Sequence, residues 1–242
     1  MSACRNRGRC RMQFYQTRLK QTVQETSSIY SYIMDIPAGY AWQAGQHAAW
    51  QFRGFDLAPD DREIRVFTIA SAPEDGYLMF TTRIGEKHTS LKEALLHQIR
   101  PGNPIGVADP LGGFGFHPET HRHTLMIAGG VGVTPIRSVL RHYLEKSKEG
   151  HKITVLYSDS DREYAYPAFW EEVRKRLPGV ELFFVSERDS FVGRADAFAR
   201  THGNAAEYLL AGSPGMNDAF TKQLTALGIA AENICKDVFM GY

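Results

Sequence analysis

The sequence predicts two domains in tandem, a small antiparallel β-barrel followed by a doubly wound α/β domain. Two patterns and the break between them carry this reading. From Met12 to about His117, short segments mix aromatic, β-branched and polar residues between frequent glycine and proline turns, the pattern of a small antiparallel barrel. After His121, apolar runs alternate with segments of helical periodicity, which implies βαβ units on a parallel sheet. The polar stretch from His117 to His123, with Pro118 inside it, separates the two. The organisation expected is an extension over residues 1–11, a barrel over 12–117 and an α/β domain over 118–242.

In the first half, Phe14 to Val23, Ile29 to Ile36, His47 to Phe52, Tyr77 to Ile84 and Ile105 to Val107 read as strands. Pro37-Ala38-Gly39, Ala44-Gly45, Glu74-Asp75-Gly76 and Pro101-Gly102 punctuate them. One helix interrupts, from Ser90 to about Ile99, with Leu91, Ala94 and Leu95 on one face. In the second half, Leu125 to Ala128, Ile153 to Tyr157, Glu181 to Val185, Tyr208 to Leu210 and Ile234 to Phe239 are strands. Helical faces are formed by Ile136, Val139, Leu140, Tyr143 and Leu144, by Tyr166, Phe169, Trp170, Val173 and Leu177, and by Met216, Phe220, Leu224 and Leu227.

Composition narrows the function. The 242 residues are 43% hydrophobic and 23% charged, enough apolar surface for two cores. A formal net charge of +1 argues against a dedicated nucleic-acid binder, which carries a basic face. No apolar run approaches the roughly 18 residues of a membrane span, so an integral membrane protein is not expected. The three cysteines, Cys4, Cys10 and Cys235, are too scattered for a disulfide framework and suit a reducing cytoplasm. Arg5, Arg7, Arg9 and Arg11 crowd the N-terminus without a following apolar stretch, which reads as a disordered extension and not a secretory signal.

The segment with the clearest chemistry is Gly129-Gly130-Val131-Gly132-Val133-Thr134-Pro135. It joins an apolar strand to an amphipathic helix, with Thr134 expected as N-cap and Pro135 as the first helical residue. Strand, glycine loop and helix start present free N–H groups and a positive dipole end to an anion, usually a phosphate. The second half should therefore bind a nucleotide. In the first half, Arg65-Val66-Phe67-Thr68 offers a cation, a flat ring and a hydroxyl on one strand. A half-buried structural strand explains the same residues. Downstream, Gly85 to Ser90 leads into the lone barrel helix, where Ser90 and Glu93 have capping-box spacing. That helix start can also hold a phosphate, with Arg65 opposite it.

Taken in order, Arg65-x-Phe67-Thr68, Gly85 to Ser90, Pro110-Leu111-Gly112, Gly129-Gly130-x-Gly132-x-Thr134-Pro135 and Gly212-Ser213-Pro214-Gly215-Met216 resemble the ferredoxin–NADP reductase superfamily. The resemblance runs from Met12 to Tyr242. It implies a barrel that holds a flavin, usually FAD, and an α/β domain that binds NADH or NADPH. By that resemblance Arg65 pairs with the FAD pyrophosphate, Phe67 packs along the isoalloxazine or ribityl chain, and Thr68 hydrogen-bonds near flavin N5 as the catalytic side chain. Thr82 and Arg83 line the neighbouring strand, and His88, Thr89 and Ser90 hold the phosphates. Gly130, Gly132 and Thr134 receive the dinucleotide, with Gly212, Gly215 and Met216 flanking the nicotinamide. Phe239 is expected over the flavin face and Tyr242 beyond it, unless the last strand buries Phe239 and Tyr242 frays.

Two departures from the family pattern stand out. Phe67 replaces a frequent tyrosine, and Ala211 stands where many members have cysteine. The choice of dinucleotide stays open, because Ser158-Asp159-Ser160-Asp161-Arg162 and Ser186-Glu187-Arg188 mix acid and base where the ribose is read. The activity implied is hydride transfer from NAD(P)H to flavin, with electrons leaving for a separate acceptor. Three cysteines cannot hold a standard iron–sulfur cluster, which needs four ligands. The acceptor is then a ferredoxin, flavodoxin, haem or oxygenase partner, or a small molecule such as free flavin or ferric iron. A non-catalytic flavin relay is the alternative.

Overall fold

A computed structural model describes residues 12–147 and 150–238. The arginine-rich extension with Cys4 and Cys10, and the expected flavin-facing Phe239 and Tyr242, lie outside these residues.

Six strands form the first sheet: β1 (Phe14–Gln24), β2 (Ile29–Met34), β3 (His47–Gln51), β4 (Ile64–Thr68), β5 (Leu78–Arg83) and β6 (Pro104–Ala108). Their spatial order is β4-β3-β6-β1-β2-β5, and every pairing is antiparallel. The long β1 serves two partners. Residues Phe14 to Arg18 pair with β6 and residues Leu19 to Gln24 with β2, with a register irregularity between Leu19 and Gln21. A bulge of this kind bends a strand and lets a sheet curl. The two ends of the sheet then meet: the Phe67 and Phe80 rings stack at 4.9 Å, and Ala70 N–H donates to the Met79 carbonyl at 2.7 Å. Trp50, Tyr32, Phe52 and Phe80 fill the barrel. Helix α1 (Ser90–His97) contributes Leu91 and Leu95 to the same core.

The second sheet is parallel, in the order β11-β10-β7-β8-β9. Its strands are β7 (His123–Gly129), β8 (Lys152–Ser158), β9 (Val180–Phe184), β10 (Ala206–Gly212) and β11 (Ile234–Val238). Helices α2 (Val133–Lys146) and α3 (Pro167–Arg176) bury Ile136, Leu140, Trp170 and Val173 against one face. Helices α4 (Arg188–His202) and α5 (Pro214–Ala226) bury Phe191, Ala195, Phe220 and Leu224 against the other. Both faces are covered, so the strands read as continuous apolar runs.

The predicted fold class is the observed one, and the differences are local. Helix α4 went unassigned in the sequence because its buried stripe, Phe191, Ala195 and Ala199, is mostly alanine among charged neighbours. Helix α2 opens at Val133 with Gly132 as N-cap, so neither Thr134 nor Pro135 holds its expected place. A 3₁₀ turn over Gly130–Gly132 runs straight into the helix, and the Thr134 hydroxyl donates back to the Val131 carbonyl at 3.0 Å. The cap-then-proline arrangement occurs at α5, where Ser213 Oγ accepts from Met216 N–H at 3.3 Å and Pro214 is the first helical residue. At α1 the N-cap is Thr89, whose hydroxyl accepts from Lys92 N–H at 3.4 Å. The expected Ser90–Glu93 box does not form. Ser90 turns to Asp61 instead, and the Glu93 carboxylate lies 2.7 Å from His88 Nε2.

The two domains meet along α2. Arg137 forms an ion pair with Asp75 of the barrel, and both side chains are buried. Its second Nη donates to the other Asp75 oxygen at 3.1 Å, where Arg141 Nε also lies within 3.1 Å. Ser138 Oγ donates to the Ser71 carbonyl at 2.8 Å and accepts from Gly45 N–H at 3.1 Å. His142 Nδ1 lies 2.6 Å from Glu74. Removing one member of a buried pair leaves the other charge uncompensated, at a cost of about 3–5 kcal/mol. Arg137→Ala is expected to lower stability by about that amount, seen as a fall in the urea midpoint. A change below ~1 kcal/mol would show that the pair does not hold the interface.

Candidate functional site

Three groups of residues face the junction between barrel and α/β domain, or line the barrel beside it. The first is an anion cradle. Arg65 lies on β4 opposite Trp50, and its side chain is buried. The N-terminus of α1 opens toward it, with Ser90 Oγ and Leu91 N–H both donating to the Asp61 carboxylate at 2.8 Å. Arg65 forms an ion pair with that same carboxylate. Burial alone would raise the Asp61 pKa, but the Leu91 N–H, the Ser90 hydroxyl, the Arg62 N–H and the Arg65 charge together lower it to about 2. The arrangement is therefore built to hold a negative charge. His88 and Thr89 complete the approach to α1, with His88 Nδ1 2.7 Å from the Gly85 carbonyl. The hydrogen bond to Glu93 holds the His88 pKa above its ordinary value, followed in weight by the Gly85 carbonyl.

The second group surrounds Thr68. This residue is buried at the end of β4 and pairs across the sheet with His47. Its hydroxyl donates to Asp237 Oδ2 at 3.4 Å. Asp237 comes from β11 of the other domain, where Asn217 Nδ2 donates to its backbone carbonyl at 2.7 Å. Burial pushes the Asp237 pKa up, against the opposing pull of His47 and the Thr68 hydroxyl. Phe67 is half-buried and faces the stacked Phe80 ring. Thr82 is buried on β5. Its neighbour Arg83 reaches across to the α/β domain, forming ion pairs with Asp159 and, at 2.5 Å, with Asp161, and donating to Ser28 Oγ at 2.9 Å.

The third group is a crevice at the carboxyl ends of β7 and β10. These adjacent strands are where the winding reverses, the switch point at which open α/β sheets bind ligands. Gly129 ends β7 and Gly212 ends β10. The Met216 thioether lies over both, with its sulfur 2.5 Å from where a Gly129 Cβ would stand. Gly130 adopts φ +56°, with Arg83 Nη2 3.4 Å from its notional Cβ. Gly132 is needed for packing: a Cβ there would lie 2.2 Å from the Ala211 carbonyl oxygen. Around Gly215 nothing lies within 4 Å of a notional Cβ, so this turn borders open space. The α1 N-terminus faces the cradle, and the crevice receives the starts of α2 and α5. Among the described residues no group of three or more His, Cys, Asp or Glu side chains could hold a metal ion, and no helix is long and apolar enough to cross a membrane.

Residues 126–222 match the oxidoreductase NAD-binding domain family. The chain is 26% identical over 230 residues to the F subunit of the Na(+)-translocating NADH-quinone reductase of Haemophilus influenzae, a match covering 86% of this chain and 55% of the relative. It is 27% identical over 204 residues to the corresponding protein of Pseudomonas aeruginosa, covering 75% and 50%. The chain thus spans about half the length of the curated relatives it matches. A cytochrome P450 reductase of Amycolatopsis superposes with a TM-score of 0.78 at 18% identity, over 94% of this chain and 70% of that one. Ferredoxin-NADP+ reductase from Plasmodium falciparum, solved with 2'P-AMP, superposes at 0.75 and 13% identity, over 93% and 96%. These two likenesses show the shared fold. The chain thus shares the two-domain fold of ferredoxin-NADP+ reductase.

The described residues fit both ligand classes that the sequence pattern implies, a flavin and a nicotinamide dinucleotide. The cradle between Arg65 and α1 suits a pyrophosphate because it already holds a carboxylate. The glycine-lined crevice suits a dinucleotide. The sequence reading missed Asp61 and Asp237. Asp61 lies four residues before Arg65 in a polar turn with no motif of its own, and Asp237 meets Thr68 across 169 positions.

The raised pKa of Asp237 has a consequence for stability. Below its ordinary value of 3.8 the carboxyl is protonated in both folded and unfolded chains. As pH rises, the unfolded chain ionises first, while the folded chain must place an anion where burial disfavours it, so stability falls through the folded pKa. Asp237→Asn removes that loss. The Asn variant is expected to gain on the wild type as pH is raised from about 3.5 to 7, in urea unfolding at each pH. A difference that does not change with pH would mean that Asp237 titrates as an ordinary exposed carboxylate.

Proposed function

We propose that this chain is an NAD(P)H-dependent flavoprotein reductase that takes hydride from a nicotinamide dinucleotide onto FAD and delivers electrons to a separate acceptor. The observation that carries the proposal is the pairing of two anion-binding helix starts, α1 beside Arg65 and α2 beside the Gly129–Gly212 crevice, with Thr68 at the end of the barrel strand that carries Arg65. FAD, when bound, supplies the chemistry that accepts a hydride and releases electrons. The protein contributes binding, orientation and exclusion of water.

Each residue has a task in this reading. Arg65, Ser90 and the α1 N–H groups bind the pyrophosphate, with His88 and Thr89 beside them. Phe67 packs along the flavin, and Thr82 and Arg83 support the adjoining strand. Thr68 presents a hydroxyl to the reacting edge of the flavin, and Asp237 behind it accepts from that hydroxyl and fixes its direction. Gly130, Gly132 and Thr134 shape the helix start that receives the dinucleotide. Gly212, Gly215 and Met216 form the opposite wall.

NADH is the donor we favour. Glu187 is the N-cap of α4 at the carboxyl end of β9 and makes no cap hydrogen bond, a carboxylate suited to a ribose diol and repulsive to a 2′-phosphate. Arg174 and Arg194, which line a groove with Glu187 beside β9, lie over aromatic rings, Arg174 5.2 Å from the Phe184 centroid and Arg194 4.2 Å from that of Phe183. The relatives named above belong to NADH-quinone reductases, which supports the same choice. These 242 residues, with three cysteines, do not themselves hold a standard iron–sulfur cluster, so the acceptor we favour is a redox partner or a small molecule. The low cysteine content supports a cytoplasmic setting.

Two expectations test the proposal. Reconstituted protein should bind one FAD per chain non-covalently and lose its yellow absorbance on anaerobic titration with NADH, at lower concentration than with NADPH. A protein that binds flavin yet is reduced by neither dinucleotide would be a relay and not a reductase. Arg65→Ala should weaken FAD binding by about 1.5–3 kcal/mol, roughly ten- to hundredfold, while the α/β domain keeps its fold. Isothermal titration with FAD measures the loss, and an unchanged affinity would make Arg65 a structural strand residue.

A further inference from the structure

Between β3 and β4 the chain makes a polar excursion that ends at Asp61. The two oxygens of this carboxylate are divided between the two halves of the anion cradle. Oδ1 takes the ion pair from Arg65 and the N–H of Arg62 at 2.8 Å. Oδ2 takes the Ser90 hydroxyl and the Leu91 N–H, each at 2.8 Å. A guanidinium on one oxygen and a helix N-terminus on the other is the arrangement by which a phosphate is held. Only 8% of the Asp61 side chain is exposed. Its carboxylate is the internal anion of this cradle.

The segment that carries Asp61 is held lightly. Ala58 N–H donates to Ser90 Oγ at 2.9 Å, and Asp56 N–H donates to Gln98 Oε1 at 3.0 Å, both at the surface. Arg53, Gly54, Ala58, Pro59 and Asp60 are exposed. Phe55 and Leu57 are the half-buried residues that pack this segment on the barrel core. Withdrawal of the carboxylate therefore requires few contacts to be broken outside the cradle.

A diphosphate and a carboxylate cannot share these donors. Each N–H and guanidinium hydrogen serves one acceptor well, and like charges at contact distance repel strongly where water is excluded. Resting on the flavin reading above, we propose that Asp61 is an internal competitor for the pyrophosphate site and sets the affinity for the phosphate arm of the flavin. FAD enters its cradle as the 56–61 segment withdraws the carboxylate, and it is held as an exchangeable ligand. Asp61 thus acts on the adenine-dinucleotide half of the cofactor and not on the isoalloxazine.

The test is titration of flavin-free protein with FAD and with riboflavin, which lacks any phosphate, by calorimetry and by quenching of flavin fluorescence. Asp61→Asn retains an acceptor for the α1 N–H groups and removes the charge. It is expected to tighten FAD by about tenfold or more, equivalent to ~1.4 kcal/mol, and to leave riboflavin affinity unchanged. Asp61→Ser, whose hydroxyl can also accept from a helix N–H, should show the same selective gain if the Asn variant folds poorly. Equal or weaker FAD binding in a variant with wild-type circular dichroism overturns the proposal, and weaker binding would make Asp61 a support that orients Arg65. Equal tightening of riboflavin overturns it as well, because the effect would not lie at the phosphate. Failure of both ligands to bind either protein would instead bring down the flavin reading on which the competitor rests.

Discussion

Helix α2 ties the crevice of the α/β domain to the barrel, and the buried pair between Arg137 and Asp75 anchors it there. The N-terminus of α2 opens into the crevice between β7 and β10, while its flank carries Arg137, Ser138, Arg141 and His142 onto the barrel. One rigid element therefore sets both where a dinucleotide phosphate would rest and where the barrel strands lie relative to it. A helix that spans both domains fixes the crevice relative to the barrel. The same helix start tolerates no added bulk, because Gly132 packs against the Ala211 carbonyl. Arg83, in ion pairs with Asp159 and Asp161, closes the interface from its other side.

The two helix starts differ in what satisfies them. At α2 the first turn is preceded by a glycine 3₁₀ turn and makes no side-chain cap, so its polarity faces the crevice. At α1 the chain supplies its own anion, and Thr89 caps the same end. A strong internal ion pair in a binding site stabilises the protein without ligand and opposes the ligand that needs the same donors. The two helix starts therefore differ in kind: α2 carries no side-chain cap, whereas α1 meets a carboxylate already in place.

Thr68 and Asp237 show how domain assembly creates chemistry that neither domain has alone. The hydroxyl belongs to the barrel and the carboxyl to the last strand of the α/β sheet. Burial at the junction is what raises the carboxyl pKa, and burial exists there only because both domains are present. Ala211 on β10 brings no thiol to the crevice wall. The raised pKa of Cys235 on β11, which burial causes first, makes that sulfur a poor nucleophile.

What could be read from residues alone was whatever short-range pattern controls. Alternation of apolar and polar residues marked the barrel strands, apolar runs marked the parallel strands, and glycines placed the crevice, because period and backbone freedom are local properties. Arg65, Ser90 and the Gly129 to Thr134 loop were legible for the same reason. Exact caps were not: Thr89 and Gly132 took the positions expected of Ser90 and Thr134, since which residue ends a helix depends on what the flanking turn packs against. Helix α4 stayed hidden because alanine buries little surface and so contributes little periodic signal. The partners that decide charge in the site were beyond reach of sequence. Asp61 lies 30 positions from the Leu91 N–H that it caps, Asp75 lies 62 from Arg137, and Asp237 lies 169 from Thr68. Their meeting follows from sheet order and domain packing, and only there do ordinary carboxylates become an internal anion, a clamp and a buried group with a raised pKa.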